Sequence, residues 1–364
     1  MTEAVHDSVV IGAGQAGLST SFHLSRLGVD HLVLDANHAP GGAWQHRWDS
    51  LTMADVHRVA NLPDAQDPPE AGRANQTVPG YFADYEAEHR LPVRRPVTVD
   101  RVVDAEGLLR VHTDHGEFWT RTLVNATGTW TQPHLPHYRG METFTGLQVH
   151  THDWPGVDAF RGLRTVVVGG GASAVQFLGD LAPLTDTIWV TRREPVWVHG
   201  DFDAEMGRHA VARVIDRVAH GLPPESVVSV TGLKLRPQEA EAARLGAYQR
   251  RPMFAAIEPD GVRWSDGSFE PVGAIVWATG FRPAIRHLAG LGLRSPAGGV
   301  QLDGTTAVAD PRIQFVGYGP SASTIGANRA GRSAALGVLA RLNSDSSSAL
   351  PGRSSSITVS PDRT

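Results

Sequence analysis

Three stretches of this chain place chemically useful residues at suggestive spacings. Two are glycine loops, Gly12-x-Gly14-x-x-Gly17 and Gly169-x-Gly171-x-x-Ala174, the second with Ser173 inside it. The third, "FTGLQVHTHDWP", spaces Phe144, Gly146, His150 and Trp154 and ends at a proline. In a loop of the first kind, the first glycine makes a tight turn and the second lets backbone approach a pyrophosphate. The third small residue lets the next helix pack close to its strand. That helix then offers unpaired N–H groups and a partial positive charge to the anion.

The residues downstream of the two loops differ. Asp35 stands 23 residues after Gly12, where a carboxylate accepts hydrogen bonds from ribose hydroxyls. Arg192 stands 23 residues after Gly169 and is followed by Arg193. Guanidinium groups grip a 2′-phosphate that a carboxylate would repel, which argues for NADPH over NADH at the second site. Two dinucleotide sites in one chain suggest one bound flavin and one exchanging nicotinamide. In "PGGAWQHRWDSL" Gly41 and Gly42 permit close backbone approach, and Trp44 and Arg47 are expected around FAD. The helix after Gly326 is expected to aim its N-terminus at the carbonyl end of the flavin.

The third stretch admits three readings. His150-x-His152 with Asp153 beside it has metal-ligand character, but zinc needs a third ligand and a supporting shell. No partner motif offers them, so no metal is expected. The stretch is otherwise an aromatic turn with surface histidines or part of a flavin-dependent machinery.

The elements that must hold these residues read as a repeat. "HDSVVIGAGQAGLSTSFHLSRLGVDHLVLDA" gives a strand over Val9–Ile11, a glycine turn and a helix burying Leu18, Phe22, Leu24 and Leu27. Gly28 stops that helix, and a returning strand comes next. "RTVVVGGGASAVQFLGDLAPLTDTIWVTRR" repeats the plan with strands at 165–168 and 187–191. Each unit is followed by strands and a turn that end in Ala-Thr-Gly: Thr127-Gly128 in the first, expected at FAD, and Thr279-Gly280 in the second, expected at NADPH. The expected fold is α/β, two Rossmann-like dinucleotide-binding domains with an NADPH domain inserted into an FAD domain, each carrying a small β insertion. The expected divisions are 1–155 and 277–342 for FAD, 156–276 for NADPH, and a disordered polar tail over 343–364. Residues 203–250 are expected to be partly helical, and with the loop 48–80 to shape a substrate pocket.

Composition bounds the alternatives. A chain of 364 residues with 41% hydrophobic and 20% charged residues suits about two globular domains. A net charge of −5 gives no reason to expect nucleic acid or an anionic membrane. The absence of cysteine removes redox disulfides, Fe–S clusters and thiolate zinc sites. The N-terminus lacks a signal peptide's basic region and no apolar run approaches a membrane span, so a soluble, cytoplasmic protein is expected.

Taken together, these motifs resemble the class B flavoprotein monooxygenases. The resemblance rests on Phe144-x-Gly146-x3-His150-x3-Trp154 just before the second glycine loop, both loops, "GGAW", "RWDSL" and the two Ala-Thr-Gly segments, and it covers roughly 7–340. The chain is similar to short bacterial flavin-containing monooxygenases related to the plant auxin-forming enzymes. Its Trp154-Pro155 ending resembles the Baeyer–Villiger branch. The resemblance implies that NADPH reduces FAD, that reduced flavin and O2 form a C4a-hydroperoxide, and that a small organic substrate takes one oxygen atom. Nitrogen, sulfur, a ketone and an α-keto acid all stand open as acceptors.

It further implies that His150 organises the linker between domains, Gly146 allows a sharp turn, and Phe144 and Trp154 pack it down. "SLTMADVHRVANLPD" departs from the family: Ala54 stands where the plant branch has histidine, and Asn61 is out of register with the animal enzymes' asparagine. Arg47, His57 and Arg58 are the candidates near the active cleft. The competing functions are an NADPH oxidase, a ferredoxin–NADP reductase-like electron carrier, and a non-enzymatic dinucleotide sensor. A disulfide reductase of the same plan fails for want of cysteine. A homodimer is one assembly open to the chain.

Overall fold

In the computed structural model, residues 4–56, 59–197, 204–225, 232–233 and 235–348 are described. The first unit runs β1 (Val5–Ile11), α1 (Gln15–Arg26), β2 (His31–Leu34), α2 (Ala74–Glu88) and β3 (Val93–Arg94). An antiparallel run comes next, β4 (Val99–Ala105), β5 (Leu108–Thr113) and β6 (Gly116–Asn125). The second unit runs β7 (Leu147–His150), β8 (Thr165–Val168), α3 (Ala172–Leu181), β9 (Thr187–Val190), α4 (Ala204–Ala219) and α5 (Ala240–Arg244). Then come β10 (Arg250–Arg251), the meander β11 (Ala256–Glu258), β12 (Gly261–Arg263) and β13 (Phe269–Pro271), and β14 (Ala274–Trp277). The chain returns through β15 (Leu302–Asp303), β16 (Thr306–Ala307) and β17 (Ile313–Phe315) to α6 (Thr324–Ser348).

Two sheets carry the repeat. The first has the order β15-β16-β17-β6-β1-β2-β3 with the β4–β5 hairpin attached through β6, and the second the order β10-β9-β8-β14-β7. Strands β2, β1, β6 and β17 are parallel neighbours, as are β9, β8, β14 and β7. Parallel strands covered on both faces read as apolar runs. β8 (TVVV) and β14 (AIVW) are buried at every position.

The structure corrects several expectations. Leu27 is 37% exposed, because α1 ends at Arg26 and Leu27 already belongs to its C-terminal cap. β7 pairs with β14, so the chain enters the second sheet by 147 and not after 155. The stretch 48–80, expected as loop, ends in the start of α2. Val78, Phe82 and Tyr85 of that helix are fully or almost fully buried at helical spacing. Pro79 and Gly80 disguised it, since proline removes a helix hydrogen bond. Helix α6 continues to Ser348, six residues into the expected tail. The rest of that tail lies outside the described residues. Among the described residues no helix is long and apolar enough to cross a membrane.

Candidate active site

The two glycine loops are built by one local rule. Gly12 has φ +103° and Gly169 φ +149°, conformations that L side chains rarely adopt. A Cβ on Gly12 would lie 2.6 Å from the Ala126 carbonyl oxygen, and one on Gly169 2.2 Å from that of Ala278. Those alanines open the two Ala-Thr-Gly segments. Ala126 N–H donates to Ile11 O and Ala278 N–H to Val168 O, both at 2.8 Å. Each segment therefore locks its sheet at the point where the loop leaves it. Helices α1 and α3 both begin without a side-chain cap and without an acidic residue in the first turn, leaving first-turn N–H groups for an anion.

Beyond that rule the halves diverge. A Cβ on Gly17 would sit 1.9 Å from Gly12 O, so α1 rests directly on its loop. Ala174 holds that position in the second half and carries a real Cβ, buried. Asp35 is 3% exposed, and its carboxylate accepts from Ala13 N–H at 2.6 Å and Asn37 N–H at 2.7 Å. Arg192 and Arg193 are exposed at the corresponding strand end, and Gly171 and Ser173 are half-buried.

A cavity of about 780 Å³ opens over the first loop. Of the residues expected around FAD, Gly12, Gly14, Asp35, Gly42, Trp44, Arg47, Thr127 and Gly128 line it. Gly17 lies beneath the loop. Gly326 does not line the cavity: α6 starts two residues before it, and its N–H donates to Ser323 Oγ, a helix cap. Ser323, Thr324 and Ala327 form the wall there instead. His57 and Arg58 lie outside the described residues. Asn61 is exposed and its amide donates to Ala65 O.

Arg47 meets the cavity as a half-buried guanidinium over three indoles, 4.6 Å from the Trp130 ring, 5.8 Å from Trp44 and 6.0 Å from Trp48. Burial alone pushes it down to about 10. Trp130 was not anticipated from the sequence. It stacks on Phe281 at 5.0 Å and meets His152 at 5.1 Å, joining the two Ala-Thr-Gly segments to the fingerprint strand. Its place three residues after Ala-Thr was the available signal. His287, also unforeseen, lines the cavity and has no such spacing to reveal it.

The fingerprint closes the junction. His150 is buried; its Nδ1 accepts from His152 N–H at 3.0 Å, which leaves the proton on Nε2 to donate to Gly280 O at 3.0 Å. Burial lowers its pKa, holding it neutral. Gly280 O also accepts from His134 N–H, Thr279 Oγ–H donates to His134 O, and Ala284 N–H donates to Gly128 O. Thr279 and Gly280 thus bond the stretch that follows the first Ala-Thr-Gly segment and the fingerprint histidine. Gly146 makes no turn of unusual φ; it supplies room, since a Cβ would lie 2.4 Å from Gly273 O and 2.6 Å from the Phe144 ring. Trp154 stacks on Phe177 of α3 at 4.1 Å and on Phe160 at 4.8 Å. Phe144 is buried in the second sheet's core. His152 turns outward to Asp153 Oδ1 at 2.6 Å, away from His150's donor.

A family model described as pyridine nucleotide-disulphide oxidoreductase matches residues 9–221. The chain is 34% identical to a flavin-containing monooxygenase from Stenotrophomonas maltophilia, with a TM-score of 0.80 over 93% of this chain and 99% of that one. It is 30% identical over 316 residues to a probable indole-3-pyruvate monooxygenase, YUCCA1, of Arabidopsis thaliana, covering 76% of each. OTEMO in complex with FAD and NADP shares the fold, with 15% identity and a TM-score of 0.63 over 95% of this chain and 87% of that one.

Proposed function

The chain belongs to the flavin-dependent monooxygenases of the pyridine nucleotide-disulphide oxidoreductase family, and from that premise we propose that it oxygenates a small organic molecule with FAD, NADPH and O2. The family's name refers to a scaffold shared with disulfide reductases, and this chain has no cysteine to run disulfide chemistry. FAD fits the cavity over the first loop: Gly12 and Gly14 expose backbone there, α1 presents uncapped N–H groups, and Asp35 keeps carboxylate lone pairs for a ribose. Bound FAD, reduced by NADPH, supplies the electrons that send one atom of O2 to water and the other to substrate.

The residues of the chain have distinct tasks in this reading. Gly12, Gly14 and Gly42 bring backbone against the FAD diphosphate, and Arg47 adds a cation held in place by Trp44 and Trp130. Thr127 and Gly128 close the floor. On the second half Gly169, Gly171, Ser173 and Ala174 form the NADPH diphosphate turn, and Arg192 and Arg193 hold the 2′-phosphate. His150, Thr279 and Gly280 position the two halves against each other without touching a proton of the reaction. Trp130, Phe281 and Trp154 keep the junction apolar, which excludes water from the reacting centre.

The observation that carries this reading is the junction itself. The first loop and the first Ala-Thr-Gly segment line the cavity with Trp130 and Phe281, and Phe281 directly follows the second Ala-Thr-Gly segment, whose Gly280 O accepts from the fingerprint's His150. The second half is thereby tied to the wall of the first half's cavity, as electron delivery from one dinucleotide to the other requires. The test is anaerobic reduction of the flavin-loaded protein with NADPH, then admission of O2 with a panel of amines, sulfides, ketones and α-keto acids. Oxygenated product that replaces hydrogen peroxide as substrate is added supports a monooxygenase. Stoichiometric peroxide with every substrate class would make it an NADPH oxidase. A flavin that NADPH does not bleach would leave a dinucleotide sensor.

A further inference from the structure

The far wall of the cavity contains a histidine that no motif predicts. Val97 N–H donates to Asp35 O at 2.8 Å, which holds the 97–100 segment against the Asp35 strand end. The 3-10 turn Arg286–Leu291 packs against β4, with Gly290 so close that a Cβ would be 3.3 Å from Val102 O. That turn places His287 on the cavity wall with Val97, Val99 and Asp100. Asp35 and His287 therefore line the same cavity, together with the 97–100 segment that Asp35 O holds in place.

His287 Nε2 lies 2.8 Å from Oδ1 of Asn125, the buried last residue of β6. A carbonyl oxygen only accepts, so Nε2 carries the proton and Nδ1 keeps a lone pair. Nδ1 is the ring's remaining polar atom, on a residue that lines the cavity. Burial keeps the ring neutral at ordinary pH, so it remains an acceptor. The cavity is thus lined by acceptors of two kinds, the Asp35 and Asp100 carboxylates and the His287 imidazole nitrogen.

The adenosine half of a dinucleotide brings donors of two kinds, ribose hydroxyls and the exocyclic amine of adenine. Asp35 suits the hydroxyls. We infer that His287 accepts a hydrogen bond through Nδ1 from the adenine amine, and so makes this cavity selective for an adenine dinucleotide. The inference rests on the reading of the cavity as the FAD site. Asn125 acts as the positioning residue that fixes the imidazole tautomer.

The experiment is reconstitution of the full-length apoprotein with FAD, with its deaminated analogue carrying hypoxanthine, and with FMN, following flavin fluorescence. The analogue offers a carbonyl where adenine has its amine, so two acceptors would face each other. The expected result is at least tenfold weaker binding of the analogue to the wild type. His287→Ala should erase that preference by weakening FAD and relieving the analogue, with FMN affinity unchanged, and His287→Gln should restore part of it. Equal affinity of the wild type for FAD and its analogue overturns the inference, whether or not the variants fold. Tighter binding of the analogue overturns it too, by making Nδ1 a donor. Failure of the wild type to bind FAD at all would instead remove the reading of the site itself.

Discussion

The two glycine loops repeat one frame and finish it differently. In both, the first glycine lies against the alanine carbonyl of an Ala-Thr-Gly segment, and the loop N–H groups of Gly12 and Gly169 donate to the end of the neighbouring strand, at Leu34 O and Val190 O. The first half then tightens. Gly17 lets α1 touch its own loop, Asp35 is buried and pinned by two backbone donors, and a cavity of about 780 Å³ lies above. The second half is exposed at its strand end, with Arg192 and Arg193 in place of the carboxylate, and has Ala174 in place of the third glycine. A walled site built on backbone contacts suits a resident cofactor, and an open one with surface cations suits a cofactor that comes and goes. The lesson is that residence is set by what surrounds the shared loop, since the loop itself is common to both.

The two loops should differ most at their third small residue. Gly17→Ala should cost on the order of 3 kcal/mol or more, since the new Cβ has backbone oxygen 1.9 Å away and no flexible neighbour to give. The reverse change in the second half, Ala174→Gly, should cost only about 1 kcal/mol of helix propensity. Urea unfolding of both variants checks this, and equal effects would mean that the two loops are equally tight.

A second asymmetry lies in acid. Burial lowers the pKa of His287 to about 4 in the folded protein, whereas an unfolded histidine keeps its ordinary value near 6.5. The unfolded state therefore takes up a proton first as pH falls. The stability that the neutral ring contributes is complete above pH ~6.5 and is lost as pH drops toward 4, by up to about 3 kcal/mol. Denaturation of the apoprotein at pH 7.5 and pH 5 should show this slope, reduced in His287→Gln.

At the open site the change should appear in binding and not in folding. Arg192→Ala should raise KM for NADPH by about tenfold, the value of one charge-assisted hydrogen bond, with little effect on KM for NADH. Steady-state kinetics with both cofactors decide it. An equal rise for both would move the 2′-phosphate site elsewhere. The smallest effect is expected at the helix that completes the first cavity. Ser323→Ala removes the cap from Gly326 N–H and should lower the stability of the apoprotein by about 1 kcal/mol, seen as a shifted urea midpoint.

Much of this was readable in the chain. Apolar runs that lead into glycine loops, such as Thr165–Val168 before Gly169, are local signals, because strand, turn and helix start each depend on neighbours in sequence. The pair Asp35 and Arg192 was readable for the same reason, since a βαβ unit fixes the distance from loop to second strand end. Helix α2 was hidden because Pro79 and Gly80 break helix rules, and only the burial of Val78, Phe82 and Tyr85 on one face overrides them. Gly146 looked like a turn residue and is a contact residue, a difference that depends on Gly273 more than a hundred residues away.

By itself, then, the sequence determined the two repeated units, their glycine turns, the sign of the charge at each strand end and the absence of thiol chemistry. Each of these is carried by residues close together along the chain or by composition. Only the folded chain shows the cavity over the first loop, the bond from His150 to Gly280, the contact of Trp130 with both halves, and the bond from His287 to Asn125 on the cavity wall. Those pairings join residues 100 or more positions apart, such as His150 with Gly280 and His287 with Asn125. Their closeness comes from the packing of two sheets, and no local propensity encodes it.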